Sequence, residues 1–299
     1  MEKQFSSLHT HTVFCDGNDD VETMCRAAYE KGLASIGFSS HAPVGKTGLK
    51  TFWHMKDEKL GEYIDGVNAA RLRWEGKLPV YLGLEIDYIK GLRSPSDSDI
   101  KALNLDYAIG AVHYLTPPQG ELFTVDGPLD ELENGILDGF DGDGEAMLNA
   151  YLDAVMEMIT LGGFDIVAHL DLVRKNHKLE RSHCFRERQG RWFEVENAGY
   201  MRRMEEIARA ISSAGLVVEA NTGGITRNYI TDTYPSLAVL RLLRQYKIPV
   251  TISADAHRAE NLDGHYGEAR QILLDAGYTS HVLFEGRKNG KPVWIECPI

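Results

Sequence analysis

The chain has 299 residues, 43% of them hydrophobic and 25% charged, with a formal net charge of −12. This balance supplies a large core and excludes a disordered chain, while the acidic surplus opposes binding to long nucleic acid but leaves room for a small phosphorylated substrate. Cys15, Cys25, Cys184 and Cys297 are too scattered for a disulfide framework, no secretory leader is visible, and no apolar run would span a membrane, so one domain over 1–299 in the cytoplasm is expected.

Residues 5–9 read as a short buried strand. His9 lies at its end and His11, two residues on, points the same way, so both imidazoles can reach one point. Val21, Met24, Cys25 and Ala28 then recur at helical spacing over 21–31, with Asp19 and Asp20 as capping candidates. A strand over 35–39 ends in Ser40-His41, and 56–74 reads as a helix. The strand over 80–86 carries Glu85, whose apolar surroundings call for a nearby cation. Another, over 107–112, ends in His113. Prolines, glycines and acids dominate 116–145, read as an excursion over the barrel mouth or rim. Within it, Asp141-Gly142-Asp143-Gly144-Glu145 suggests a calcium loop, but Ala146 and Leu152 stand where glycine and glutamate are needed, so an acidic turn leading into a helix is the better reading.

Further on, helices are expected over 146–161, 197–214, 236–246 and 262–276. Strands over 166–168, 216–220 and 250–253 end in His169-Leu170-Asp171, Asn221-Thr222 and Ala254-Asp255-Ala256-His257. A hairpin centred on Asn289-Gly290 closes the chain at about 281–296.

Seven strands separated by helix-sized intervals make the pattern of a parallel α/β barrel. His9, His41, Glu85, His113, His169, Asn221, Asp255 and His257 sit at or just beyond the carboxyl ends of their strands, where barrel enzymes place chemistry. One such histidine could merely satisfy a backbone group. Eight polar groups converging on one mouth would be costly to desolvate without cations, and the mixed nitrogen and oxygen set suits zinc, iron or manganese. His54, His177, His183, His265 and His281 fall elsewhere and read as surface or packing residues, with His54, His177 or His183 able to touch substrate from a mobile loop. Cys15 reads as a small buried hydrophobe.

These residues resemble the polymerase and histidinol phosphatase (PHP) family. The resemblance is carried by His9-Thr10-His11 with Cys15-Asp16-Gly17, Ser39-Ser40-His41, Gly83-Leu84-Glu85, Val112-His113, His169-Leu170-Asp171, Glu219-Ala220-Asn221-Thr222 and Ser253-Ala254-Asp255-Ala256-His257. It implies a distorted (β/α)7 TIM-like barrel with a centre of two or three divalent transition metals at the carboxyl ends of the strands. Carried over by position, His9, His11, Glu85 and Asp255 would hold one metal. Glu85 would bridge to a second at His113 and His169, and His41, His257 and a loop residue would hold a third. Many members have a histidine where this chain has Gly17, and Asp16 is the nearest replacement.

The segments His169 to Lys175 and Glu219 to Arg227 look most like histidinol-phosphate phosphatases. This implies phosphomonoester hydrolysis, with Arg174, Lys175 and Arg227 on the phosphate, Glu85 in the catalytic centre, and Asp255 or His257 giving a proton to the leaving group. The acidic stretch 126–145 or Glu219 would attract a cationic amine. The rivals are a PHP phosphoesterase acting on nucleotides or nucleic-acid ends, and a non-catalytic metal-dependent binding module. Oligomeric state is not readable from the sequence.

Overall fold

The computed structural model describes residues 4–49 and 51–299, and its wall is built from parallel β-segments that return on themselves. Ile36–Phe38 pairs with Val80–Leu82, and Glu85–Asp87, Ile109–Ala111, Ile166–Val167, Val217–Asn221 and Val250–Ser253 follow side by side. The first segment closes the ring, because Ser7 bridges to Ile36 on one side and Thr10 to Ala256 on the other. Such a closed parallel ring leaves no open sheet edge.

The expected strand over 80–86 is broken at Gly83-Leu84. Its first half pairs with Ile36–Phe38 and its second with Ile109–Ala111, while His41 bridges across to Glu85. At the break the fully buried Tyr107 ring lies against Gly83 so closely that a Cβ there would sit 2.6 Å from it. Likewise the strand expected over 5–9 is held by bridges rather than a continuous ladder.

Side-chain caps set several helix starts, as the capping rules require. Asp20 caps Val21–Glu30, Asn197 caps Ala198–Ala214 and Ser236 caps Leu237–Gln245. Asp143 accepts from the Glu145 and Ala146 amides to open Gly144–Leu161, so the acidic turn serves a helix start. Residues 116–145 also hold the strand Phe123–Thr124, antiparallel to Tyr114–Leu115, and the helix Leu129–Gly139.

The terminal hairpin pairs Ser280–Lys288 with Lys291–Pro298. Asn289 and Gly290 both take positive φ, 53° and 76°, as a type I′ turn demands. Phe284 packs with Tyr107, Tyr81 and Trp294 near Leu8, closing the ring at the amino ends of its strands. The opposite end is left to polar residues. Cys15, Cys25 and Cys184 are free thiols, and no helix among the described residues is long and apolar enough to cross a membrane.

Candidate metal centre

Glu85 follows the break at Gly83-Leu84, and its carboxylate is the hub of the mouth. Oε2 lies 3.3 Å from His9 Nε2, 3.5 Å from His11 Nε2 and 3.0 Å from His41 Nδ1. Oε1 lies 3.0 Å from His169 Nε2 and 3.7 Å from His113 Nε2. His9 and His11 do point the same way, since Asp255 Oδ1 is 3.7 Å from one and 3.2 Å from the other. Asp255 holds a left-handed φ of 50° at the turn after Val250–Ser253, a conformation aspartate tolerates better than most residues.

Asp16 stands at the outer side of the cluster. Its Oδ1 is 3.5 Å from His11 Nδ1 and 3.9 Å from His41 Nε2, and its Oδ2 is 3.1 Å from His257 Nε2. Gly17 cannot carry a side chain here, because a Cβ would overlap the His11 carbonyl carbon and the Thr12 nitrogen. The loop therefore presents a carboxylate from position 16 and leaves position 17 bare. Cys15 is half-buried, with Sγ 3.5 Å from His11 Nδ1, and burial pushes its thiol up to about 11.

The donors fit metal ions. His9 Nε2, His11 Nε2, His41 Nδ1, Glu85 Oε2 and Asp16 Oδ1 are buried with no hydrogen-bond partner among the described residues. Leaving such atoms unpaired in a core is expensive, whereas two donors each about 2.1 Å from one ion naturally lie roughly 3–3.5 Å apart. Among the described residues four overlapping groups bring their ligand atoms within 4.8 Å of one another: His11, Asp16, His41 and His257; His9, His11 and Glu85; His41, Glu85 and His113; and His41, His54 and Asp87.

Charge is distributed accordingly. Burial opposes a proton on His9, but Glu219, Glu85 and Asp255 outweigh it and raise the imidazole well above its usual range. His11 goes the other way, pushed down to about 3 by burial and by His257 and His41. Burial would raise the Glu85 carboxyl, yet His41, His9 and His113 hold it well below the ordinary carboxylate range.

Two carboxylates support the site from behind, Asp87, which sequence reasoning did not place there, and Glu219, which it gave a different role. Glu219 accepts from His9 Nδ1 at 2.9 Å, so the other ring nitrogen faces Glu85. Asp87 accepts from His113 Nδ1 at 2.7 Å and from His54 Nε2 at 2.6 Å. Such carboxylate–imidazole contacts fix the tautomer and aim the ring. The overlooked signal is the spacing of two: Asp87 follows Glu85, and Glu219 precedes Asn221, on the same side of its strand.

Three sequence expectations are corrected. Arg174 does not line the cavity; its guanidinium donates to Asp171 at 3.1 Å, Asp232 at 2.6 Å and the Thr233 carbonyl at 3.1 Å, tying two loops together. Glu219 is buried behind His9 and is closed to a substrate amine. Asn221 turns away from the mouth to the Gly223 amide and to Glu219. His54, read as a surface or packing residue with substrate contact as its alternative, is buried and turned inward to Asp87.

A cavity of about 700 Å³ opens above the cluster, with His41, Glu85, His113, His169, Asp255 and His257 along its floor. Arg227 and Lys175 lie on its wall. Arg227 donates to Asp255 Oδ2 at 2.7 Å, and the Lys175 ammonium sits 4.3 Å from the centre of the Tyr229 ring and donates to the Asp126 carbonyl. Phe52, Trp53, Tyr229 and Tyr234 supply the apolar part of the walls.

A family model described as PHP domain matches residues 7–223. A curated Deinococcus radiodurans protein with a provisional histidinol-phosphatase name is 27% identical over 94% of this chain and 96% of its own length. The Bacillus subtilis histidinol-phosphatase is 28% identical over 89% of this chain and 97% of its own. The crystal structure of Lactococcus lactis histidinol phosphate phosphatase complexed with zinc, L-histidinol and phosphate aligns at a TM-score of 0.66 and 19% identity, covering 96% of this chain and 100% of that one.

Proposed function

The chain belongs to the PHP domain family, and from that membership we propose that it is a metal-dependent phosphomonoesterase converting L-histidinol phosphate and water to L-histidinol and phosphate, in the histidine biosynthesis of a reducing cytoplasm. The observation that carries the reading is the convergence of five imidazoles on Glu85 beneath a cavity edged by Arg227 and Lys175. The named relatives that match over almost their whole length support the substrate.

His9, His11, His41, His113, His169, His257, Asp16, Glu85 and Asp255 would hold two or three ions of zinc, iron or manganese. Bound there, such ions supply Lewis acidity to the phosphate and lower the pKa of water enough for it to attack phosphorus. Arg227 and Lys175 would neutralise phosphate charge from the walls, Arg227 through the face of its guanidinium not committed to Asp255. Asp255, paired with Arg227 and beside His9 and His11, is kept ionised and is a poor proton donor. His257 is therefore left as the candidate to give the leaving alkoxide its proton, in the two-ion arrangement that does not draw on its ring nitrogen.

The purified protein is expected to release phosphate from histidinol phosphate. Chelation, Glu85→Ala or His169→Ala should each lower that rate by at least about 100-fold, since even outer contacts of metal ligands are worth 10–100-fold. Full turnover after metal removal would overturn the mechanism, and faster turnover of nucleotides would move the substrate to the rival phosphoesterase class.

A further inference from the structure

One hydrogen-bonded thread runs out of the donor cluster into the cavity wall. Asp87 Oδ1 accepts from His113 Nδ1 at 2.7 Å, and its Oδ2 accepts from His54 Nε2 at 2.6 Å. A carboxylate with two such partners can only accept, so both imidazoles must donate to it. This leaves His113 Nε2 facing Glu85 and leaves His54 Nδ1 as an acceptor. The Thr51 hydroxyl lies 2.8 Å from His54 Nδ1 and completes the thread. Asp87 is fully buried between the two rings, and His54 is nearly so.

Between Thr51 and His54 stand Phe52 and Trp53, both on the cavity wall. Phe52 is 90% exposed, so its own packing does not hold it in place. Trp53 stacks on Tyr114 with ring centres 5.5 Å apart and 20° between planes, and Tyr114 directly follows His113. The wall segment is thus fastened twice to the strand end that carries His113, once by stacking and once through Asp87.

We propose that Asp87 is a positioning residue that couples the metal donors to the substrate wall, fixing His113 with Nε2 toward Glu85 and at the same time anchoring Thr51 to His54 with its two aromatic side chains. Occupancy of the donors and placement of Phe52 and Trp53 then change together. Only the KM arm of the test rests on the histidinol-phosphatase reading; the metal and fluorescence arms need no substrate.

Titration with zinc or manganese should show Asp87→Asn losing about 10–100-fold in affinity, the range for carboxylates behind metal-binding imidazoles. His54→Phe should keep the parent's affinity and metal count. It should raise KM for histidinol phosphate about tenfold with little change in kcat, because the wall is misplaced while the donors are intact. Chelation should shift the emission of Trp53, identified by difference from Trp53→Phe, in the parent and not in His54→Phe. Should Asp87→Asn not fold, Thr51→Val removes the outermost hydroxyl alone, and its Trp53 emission should follow chelation less than the parent's, a parent-like response there overturning the coupling. Parent-like metal affinity in a folded Asp87→Asn, or a Trp53 signal indifferent to chelation in the parent, would overturn the coupling. A parent with normal metal and Trp53 responses but no turnover would instead overturn the proposed substrate.

Discussion

Among the described residues Glu219 meets four donors and no acceptor. Its Oε2 takes His9 Nδ1 and the Ser253 hydroxyl, and its Oε1 takes the His169 amide and Asn221 Nδ2, each at 2.8 Å. Only an ionised carboxylate suits such a place; burial opposes its charge, and His9 restores it, holding the carboxyl below its ordinary range. Glu219→Gln would turn an NH2 group toward one of these donors. It is expected to cost about 1–3 kcal/mol in urea denaturation and about 10–100-fold in metal affinity, and an unchanged affinity would remove Glu219 from the site. At this scale the sequence yielded the strand-end groups and not their supports. A histidine after a strand is conspicuous, whereas Glu219 and Asp87 sit inside apolar runs and gain meaning only when a neighbouring strand brings an imidazole to them. Arg174 erred in the opposite sense: its place in the motif was visible, but its two acidic partners, Asp171 and Asp232, are brought together by folding.

Glycine and tyrosine decide how the strands bend toward the mouth. Tyr107 lies fully buried across the ring and donates to the Leu8 carbonyl, immediately before His9. Gly83 leaves room for its ring, and a Cβ at Gly83 would come within 2.6 Å of it. Gly83→Ala should therefore destabilise the fold by about 1–3 kcal/mol, as overpacking does, and weaken metal binding because the push reaches His9 through Leu8. Gly61→Ala is the control. It is exposed near the start of the helix Leu60–Arg73 with nothing within 4 Å of a Cβ, and should stabilise by about 0.5–1 kcal/mol in the same denaturation assay. Elements set by local signals were legible: Val250–Ser253 and the capped helices fall within a residue or two of their sequence readings. Elements set by pairing were not. Tyr114–Leu115 and Phe123–Thr124 are two residues each and exist because they face one another, which no periodicity records.

At the scale of the molecule, the net charge of −12 and a cavity edged by Arg227 and Lys175 fit together, since an acidic body can keep a local cationic rim for a small phosphate ester. The two ends of the chain also meet. His281, at the start of the terminal hairpin, is 2% exposed and stacks on Phe5, with ring centres 5.5 Å apart and planes 23° apart. Burial pushes its imidazole down to about 4, so the fold holds it neutral while an unfolded chain would take up a proton near 6.5. Unfolded protein then binds more protons between these values. The stabilising contribution is fully present above about pH 6.5 and is lost as pH falls through about 4. The lost term approaches about 3 kcal/mol at the acid end by the usual conversion of about 1.4 kcal/mol per unit. His281→Phe keeps an aromatic ring against Phe5 and removes the proton. Urea denaturation of metal-loaded protein from pH 7.5 to 4 should show parent and variant diverging as the pH falls, the variant losing less stability by up to that amount. Parallel curves would mean that His281 takes its proton as readily in the fold as out of it, and that the junction of the first and last segments is open to water.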